Sequence, residues 1–292
     1  MIKLPATIRA LSNLHGIDYK DLLSVNPKTL KSRVQTYMLH LAPHTLSGVN
    51  LCAGAGNCKK ICLHSAGNPA YMTSKQAARI KRSQVFNVFK EAFMVTLTAA
   101  ICYRVAKHKG ETLAIRLNGT SDVAWENVDF TIDSELVRWA KTRFGLTLPI
   151  GRRNIFEVFN HLSALGECLV VFYDYSKTKR NWQECQRLGY HLTASYDGPG
   201  SVANHSIVRD ALKNGINIAA AFAIKKGKPL PAEVALLGQV FKVIDGDISD
   251  YRPADPSSSP VIVGLRFKLP HGLDWTPAQR AAFCIPPVAY RA

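Results

Sequence analysis

From about residue 34 onward the chain alternates short apolar runs rich in β-formers with longer helical patterns, and glycines such as Gly110, Gly166, Gly189, Gly215 and Gly238 close the helices. The strand-like runs are Thr36–Ala42, Thr112–Leu117, Cys168–Tyr173, His191–Ser195, Ile216–Ala223, Val240–Ile244 and Val261–Phe267. Helical spacing marks Thr73–Lys107, Ser134–Phe144, Ile155–Leu165, Trp182–Leu188, Ser206–Lys213 and Pro231–Leu237. Repeated strand–helix–strand units cross over right-handedly, so the strands lie parallel in one sheet. Gly54 and Gly56 lack the third glycine of a dinucleotide loop, and no Gly-Lys-Ser/Thr is present. The pattern predicts an α/β chain, a full or partial parallel (β/α) barrel over residues 34–268. Residues 1–33 read as a helical lead-in, with Ile8, Leu11 and Leu14 and then Tyr19, Leu22 and Leu23 at helical intervals around Gly16; residues 269–292 form a tail with little pattern.

A hydrophobic fraction of 47% in 292 residues is enough for a large core. No run of about 18 apolar residues spans a bilayer, and Met1 to Asn13 lacks a signal-peptide pattern, which predicts a cytoplasmic protein without a membrane partner. Seven cysteines, an odd number, fit a reducing compartment. The formal net charge of +16 points to a polyanionic partner, nucleic acid or a nucleotide first. Ten basic residues against one acid, Glu91, lie between Cys52 and Gly110. Among them Lys59 and Lys60 sit on a cysteine loop, and Lys75, Arg79 and Arg82 share one face of the following helix. The alternative is a solvated surface that favours solubility.

The loop is Cys52-Ala53-Gly54-Ala55-Gly56-Asn57-Cys58-Lys59-Lys60-Ile61-Cys62, a C-x5-C-x3-C spacing with small residues between the first two sulfurs. Three thiolates on a flexible loop can hold a metal, and an iron–sulfur cluster accepts three cysteines while leaving one iron open. Zinc is the alternative, with His40, His44 or His64 as fourth ligand. Cys102, Cys168, Cys185 and Cys284 stand singly and read as core residues.

In parallel β/α folds reactive groups gather beyond the carboxyl ends of the strands. The cysteine loop follows the first run, Arg116–Asp122 ends the second, Tyr173–Lys177 the third, Ser195–Gly198 the fourth, and Asp245–Asp247 a later one. Each mixes hydrogen-bonding groups, several with glycine, as a pocket for a polar ligand requires. Asp245, Asp247 and Asp250 do not make an EF-hand, because Asp250 stands at the glycine position and Pro256 at the terminal glutamate position.

The cysteine loop continuing to Ile80, Arg116–Asp122 with Trp125-Glu126, Tyr173–Lys177, Tyr190–Thr193, Val243–Asp247 and Val263–Arg266 together resemble the gene product 88-like proteins of phages and mobile elements, over about residues 33–268. That resemblance implies a phage or mobile-element source and a host-cell cytoplasmic location. More distantly, the loop is similar to that of the radical S-adenosylmethionine enzymes, whose partial barrels carry three cysteines after the first strand. This likeness implies a [4Fe–4S] cluster on Cys52, Cys58 and Cys62 and S-adenosylmethionine as cofactor. Asn118, Ser121 and Asp122 would then orient the cofactor, Ser195 and Asp197 would bind its ribose or carboxylate, and Tyr173, Tyr175 and Lys177 would face the substrate. The usual spacing in that superfamily is C-x3-C-x2-C, so both gaps are longer here.

The expectation is thus an iron–sulfur protein acting on nucleic acid or a nucleotide. Two rivals stand beside it: a non-catalytic nucleic-acid-binding accessory protein stapled by metal, and a metal-dependent nuclease or phosphoesterase using Asp122, Glu126, Asp245 and Asp247.

Overall fold

A computed structural model of the chain describes residues 3–25, 34–62, 73–268 and 274–285. Seven strands run parallel: β2 (Gln35–Leu39), β3 (Thr112–Arg116), β6 (Leu169–Ser176), β7 (Tyr190–Ser195), β8 (Ile218–Phe222), β10 (Gln239–Asp245) and β11 (Ile262–Arg266). With β1 (Leu23–Ser24) and β9 (Glu233–Leu236) they form one sheet in the order β1-β2-β3-β6-β7-β8-β11-β10-β9. β1 and β9 pair antiparallel at the two edges. All seven runs of β-formers become these parallel strands. The result is a mixed α/β protein with a large, mostly parallel sheet; no pairing joins β1 to β9 among the described residues.

Three expectations are corrected. Pro231–Leu237 is not a helix: its alternating Val234 and Leu236 are buried between exposed neighbours, and β9 turns tightly at Leu237-Gly238, both at positive φ, to pair with β10. Period-2 burial wins over a short helical reading there. Tyr19, Leu22 and Leu23 follow α1 (Ala6–His15) not as a second helix but as turns leading into β1. The tail carries α8 (Pro277–Phe283), opened by a capping box of Thr276 and Gln279, and Ile285 bridges to Phe222 of β8.

The long helical stretch divides at Phe89 into α2 (Thr73–Val88) and α3 (Lys90–Lys107). α3 buries Phe93, Met94, Leu97, Ala100, Ile101 and Val105, and α1, α2 and α4 (Ser134–Phe144) pack on it. Between the second and third parallel strands β4 (Asp129–Ile132) and β5 (Gly151–Asn154), joined through α4, pair antiparallel as a separate two-stranded sheet that leads into α5 (Ile155–Ala164). Asn154 and Glu157 form a capping box at the start of α5, whose Phe156 and Phe159 meet Phe172 of β6. α6 (Trp182–Arg187) and α7 (Val202–Lys213) complete the crossovers. This scaffold fixes the carboxyl ends of β2, β3, β6 and β7 side by side, and the cysteine loop lies over them. No helix among the described residues is long and apolar enough to cross a membrane.

Candidate functional site

The cysteine loop is held to the strand ends by its backbone. Its 3-10 turn, Asn57–Ile61, presents open amides to Asp197, just beyond β7: Asn57 N–H donates to Oδ2 at 2.7 Å and Cys58 N–H to Oδ1 at 3.0 Å. Asn57 Nδ2 also donates to the Asp197 carbonyl at 3.2 Å. Asp197 is fully buried, and its own amide donates to Asn204 Oδ1 at 2.8 Å, while Asn204 Nδ2 donates to the carbonyl of Ser195. On the other side the Asp122 amide donates to Leu51 O at 2.8 Å. The glycines permit these approaches: a Cβ on Gly54 would lie 2.4 Å from Lys177 O, and one on Gly56 would lie 2.6 Å from Asp197 Oδ2.

The three thiols are half-buried. Burial pushes Cys52 up to about 12, against the His44 backbone, and Asp122, Cys62 and Cys58 add to the rise. Burial also raises Cys58, opposed by Lys177 and reinforced by Asp197 and Asp122. Cys52 therefore feels the other two sulfurs, and a cation is the partner that would draw the thiol protons off. Among the described residues no three His, Cys, Asp or Glu side chains converge as a metal-holding group. The donor set, three soft thiols on a loop pinned at its start and its middle, nevertheless fits a thiolate-bound metal or cluster in its chemistry. Of the alternative fourth ligands, His64 lies outside the described residues, as do Leu63–Gly67 of the resemblance.

The turn after β3 is closed on itself. Asn118 Oδ1 accepts from Ser121 Oγ at 3.0 Å, Val123 N at 2.9 Å and Trp125 Nε1 at 3.0 Å, and its Nδ2 donates to Val123 O. Asp122 Oδ2 accepts the Lys177 amide at 2.8 Å, and Oδ1 accepts Arg180 Nη2. Arg180 is buried and also gives Nη1 to both oxygens of Glu126 at 3.1 Å and Nε to Ser176 Oγ at 2.9 Å. The polar atoms of Asn118, Ser121 and Asp122 thus build the rim itself. Arg180 was not singled out in the sequence. It lies three residues past the Tyr173–Lys177 run, and the i, i+4 spacing of Asp122 and Glu126 is the one sequence hint that a single cation could meet both.

Beneath the rim Asp174 is fully buried and accepts from Leu117 N at 2.9 Å, Asn118 N at 3.0 Å and Tyr190 OH at 2.9 Å. Burial pushes its carboxyl up to about 6, and Arg116, with Nε 3.4 Å from Oδ1, is the largest opposing influence. The Arg116 guanidinium lies 5.6 Å from the Tyr173 ring and 5.2 Å from the Tyr175 ring. Tyr173 is fully buried, with its hydroxyl 3.5 Å from Thr36 Oγ1 and its ring edge-on to Tyr251. Tyr175, Lys177 and Ser195 are half-buried, and Lys177 Nζ lies 6.0 Å from the Phe283 ring of α8. Tyr173, Tyr175 and Lys177 therefore share the carboxyl end of β6 with the loop, Tyr173 deepest.

The basic residues separate. Lys59, Lys60 and Lys75 are exposed, whereas Arg79 is 8% exposed and Arg82 gives Nη2 to the Asp21 carbonyl at 3.0 Å. Beyond Lys75, which stays in solvent, the face carrying Arg79 and Arg82 is turned toward the domain, where the neighbouring Ser83 accepts the Ala42 amide at 2.7 Å. The four carboxylates of the phosphoesterase reading form two closed knots. Asp122 and Glu126 surround Arg180, while Asp245 and Asp247 pair with Arg266, and Asp247 with Lys268 as well.

A profile of the gene product 88 family matches residues 18–287, nearly the whole chain and every element of this rim. The chain belongs to the gene product 88 family. No curated protein and no solved structure matches this gene product 88 chain.

Proposed function

We propose that this gene product 88 protein is an iron–sulfur protein whose Cys52, Cys58 and Cys62 hold a [4Fe–4S] cluster at the mouth of a partial β/α barrel, acting on a phosphate-bearing substrate, a nucleic acid or a nucleotide. One observation carries the reading. Three thiols occupy one loop after the first parallel strand, and a fully buried carboxylate, Asp197, clamps that loop by its backbone amides. A loop that served packing alone would not need a charge to fix the positions between its sulfurs.

When bound, such a cluster supplies one-electron chemistry, and its fourth iron would be open to S-adenosylmethionine. The chain's own residues do the positioning. Asp122 holds the loop's first flank through Leu51, Asp197 holds its middle, Lys177 places a cation beside Cys58, and Arg116 lies against the rings of Tyr173 and Tyr175 at the neighbouring strand ends. The phosphoesterase reading is disfavoured because its four carboxylates already neutralise Arg180 and Arg266.

Visible absorption of protein purified without oxygen tests the reading. The expected sample is brown, with a broad band near roughly 400 nm. Cys52→Ala, Cys58→Ala and Cys62→Ala each bleach it, while Cys102→Ala and Cys284→Ala keep it. A colourless wild type after expression with iron supplied refutes the cluster.

A further inference from the structure

Among the described residues three other arginines with little exposed side chain each meet a carboxylate, although Arg116 Nε and Arg252 Nε and Nη1 lack a hydrogen bond. Arg180 meets Asp122 and Glu126, Arg252 meets Asp255, and Arg116 meets Asp174. Arg79 does not. It sits in the middle of α2 at 8% exposure, its guanidinium makes no hydrogen bond or ion pair among the described residues, and its Nη1 is buried without a partner. A buried guanidinium left unpaired is costly, and its planar fork of donors suits an oxyanion.

Its surroundings fix what that oxyanion meets. Burial lowers Arg79, and the nearby Cys62 thiol opposes that shift. Across the rim stands His40, one residue past β2, whose ring packs on Gly119 so closely that a Cβ there would lie 2.7 Å from Nδ1. His40 is pushed down to about 3 by burial and then by Arg79, Arg116, Arg82 and Lys75, in that order. All four are cations. Arg116 and Arg82 already have Asp174 and the Asp21 carbonyl, and Lys75 is exposed to solvent, so Arg79 is the buried member with donors to spare. Arg79 is thus one of four cations gathered about His40 at the rim, which favours a group with more than one negative charge.

We infer that Arg79 is the receptor for a phosphate group of a ligand that enters beside Cys62. This deepens the substrate class proposed above but does not use the iron. A free phosphate, a mononucleotide and a nucleic-acid backbone share this chemistry.

The test titrates the anaerobically purified full chain with inorganic phosphate, adenosine monophosphate and a short oligothymidylate at constant ionic strength, followed by calorimetry and thermal midpoint. Wild type is expected to bind at least one of the three, and the tightest identifies the source of the phosphate. Arg79→Met should weaken that binding tenfold or more. It should also keep or raise the ligand-free midpoint, because it removes a buried unpaired charge. Arg79→Lys, which keeps the charge but loses the fork, should fall between. The exposed Lys213→Gln controls for general charge and should bind as wild type does. No binding by wild type, equal loss in Lys213→Gln, or an Arg79→Met protein that is destabilised yet still binds would each overturn the inference. Iron content of the same samples is read separately, so Arg79-dependent binding in iron-free protein would reject the cluster and leave the phosphate site standing.

Discussion

Asp197 Oδ1 accepts the backbone amide of Cys58 at 3.0 Å, which ties the middle sulfur of the loop to the end of β7, 139 residues away. Asp197→Ala leaves that amide and the Asn57 amide without their charged acceptor. The expected loss is about 2–3 kcal/mol of stability by urea unfolding. Alkylation of Cys58 should accelerate in parallel, measured by mass spectrometry. Unchanged alkylation would show that the clamp does not govern the thiol.

Arg180 is the next point of leverage, because it neutralises two acids from one buried position. Arg180→Met strands Asp122 and Glu126, and an expected cost of roughly 3–5 kcal/mol follows from breaking a buried pair by one partner. The lysine variant should recover part of it. A loss below about 1 kcal/mol would mean that the knot is solvated in practice.

How much of this was legible beforehand depends on the range of the interaction. Most of the parallel strands are legible because a buried parallel strand must be apolar nearly throughout, as in Val170–Tyr173, and because glycine follows the crossover helices. β10, which buries no residue, is legible only by its β-forming Val240, Val243 and Ile244. β9 is not legible as a strand, because four residues with two buried side chains carry too little period to separate strand from helix. The site was legible as a set of strand ends, but not as a set of bonds. Nothing local to Asn118 says that its side chain will be consumed by Ser121, Val123 and Trp125. Arg79 shares a helical face with Lys75 and Arg82, and sequence spacing alone does not tell whether such a face looks outward or inward.

Asp174 gives the fold a pH signature. Its carboxyl is raised from an ordinary value near 3.8 to about 6 by burial. A raised carboxyl binds its proton more tightly in the folded state, so the stability it contributes is full below about pH 4 and is lost as pH rises through about 6. The shift corresponds to about 3 kcal/mol. Relative to Asp174→Asn, wild type should therefore lose up to that amount of unfolding free energy between about pH 4 and pH 7. Parallel curves for the two proteins would contradict the assignment.

Gly54 lets the loop lie against the backbone of Lys177. Gly54→Ala places a methyl 2.4 Å from the Lys177 carbonyl oxygen, so loop or strand end must move, at an expected cost of about 1–3 kcal/mol. Cluster content should fall more than overall stability does. Equal retention of colour in Gly54→Ala and wild type would separate the loop's packing from its metal chemistry.

Iron, acid-labile sulfide and zinc per chain in anaerobically purified protein test the central claim most directly. The account predicts about four iron and four sulfide per chain with little zinc, and loss of both in Cys58→Ala. One zinc per chain with neither iron nor sulfide, after expression with iron supplied, would contradict it and make the loop a structural staple.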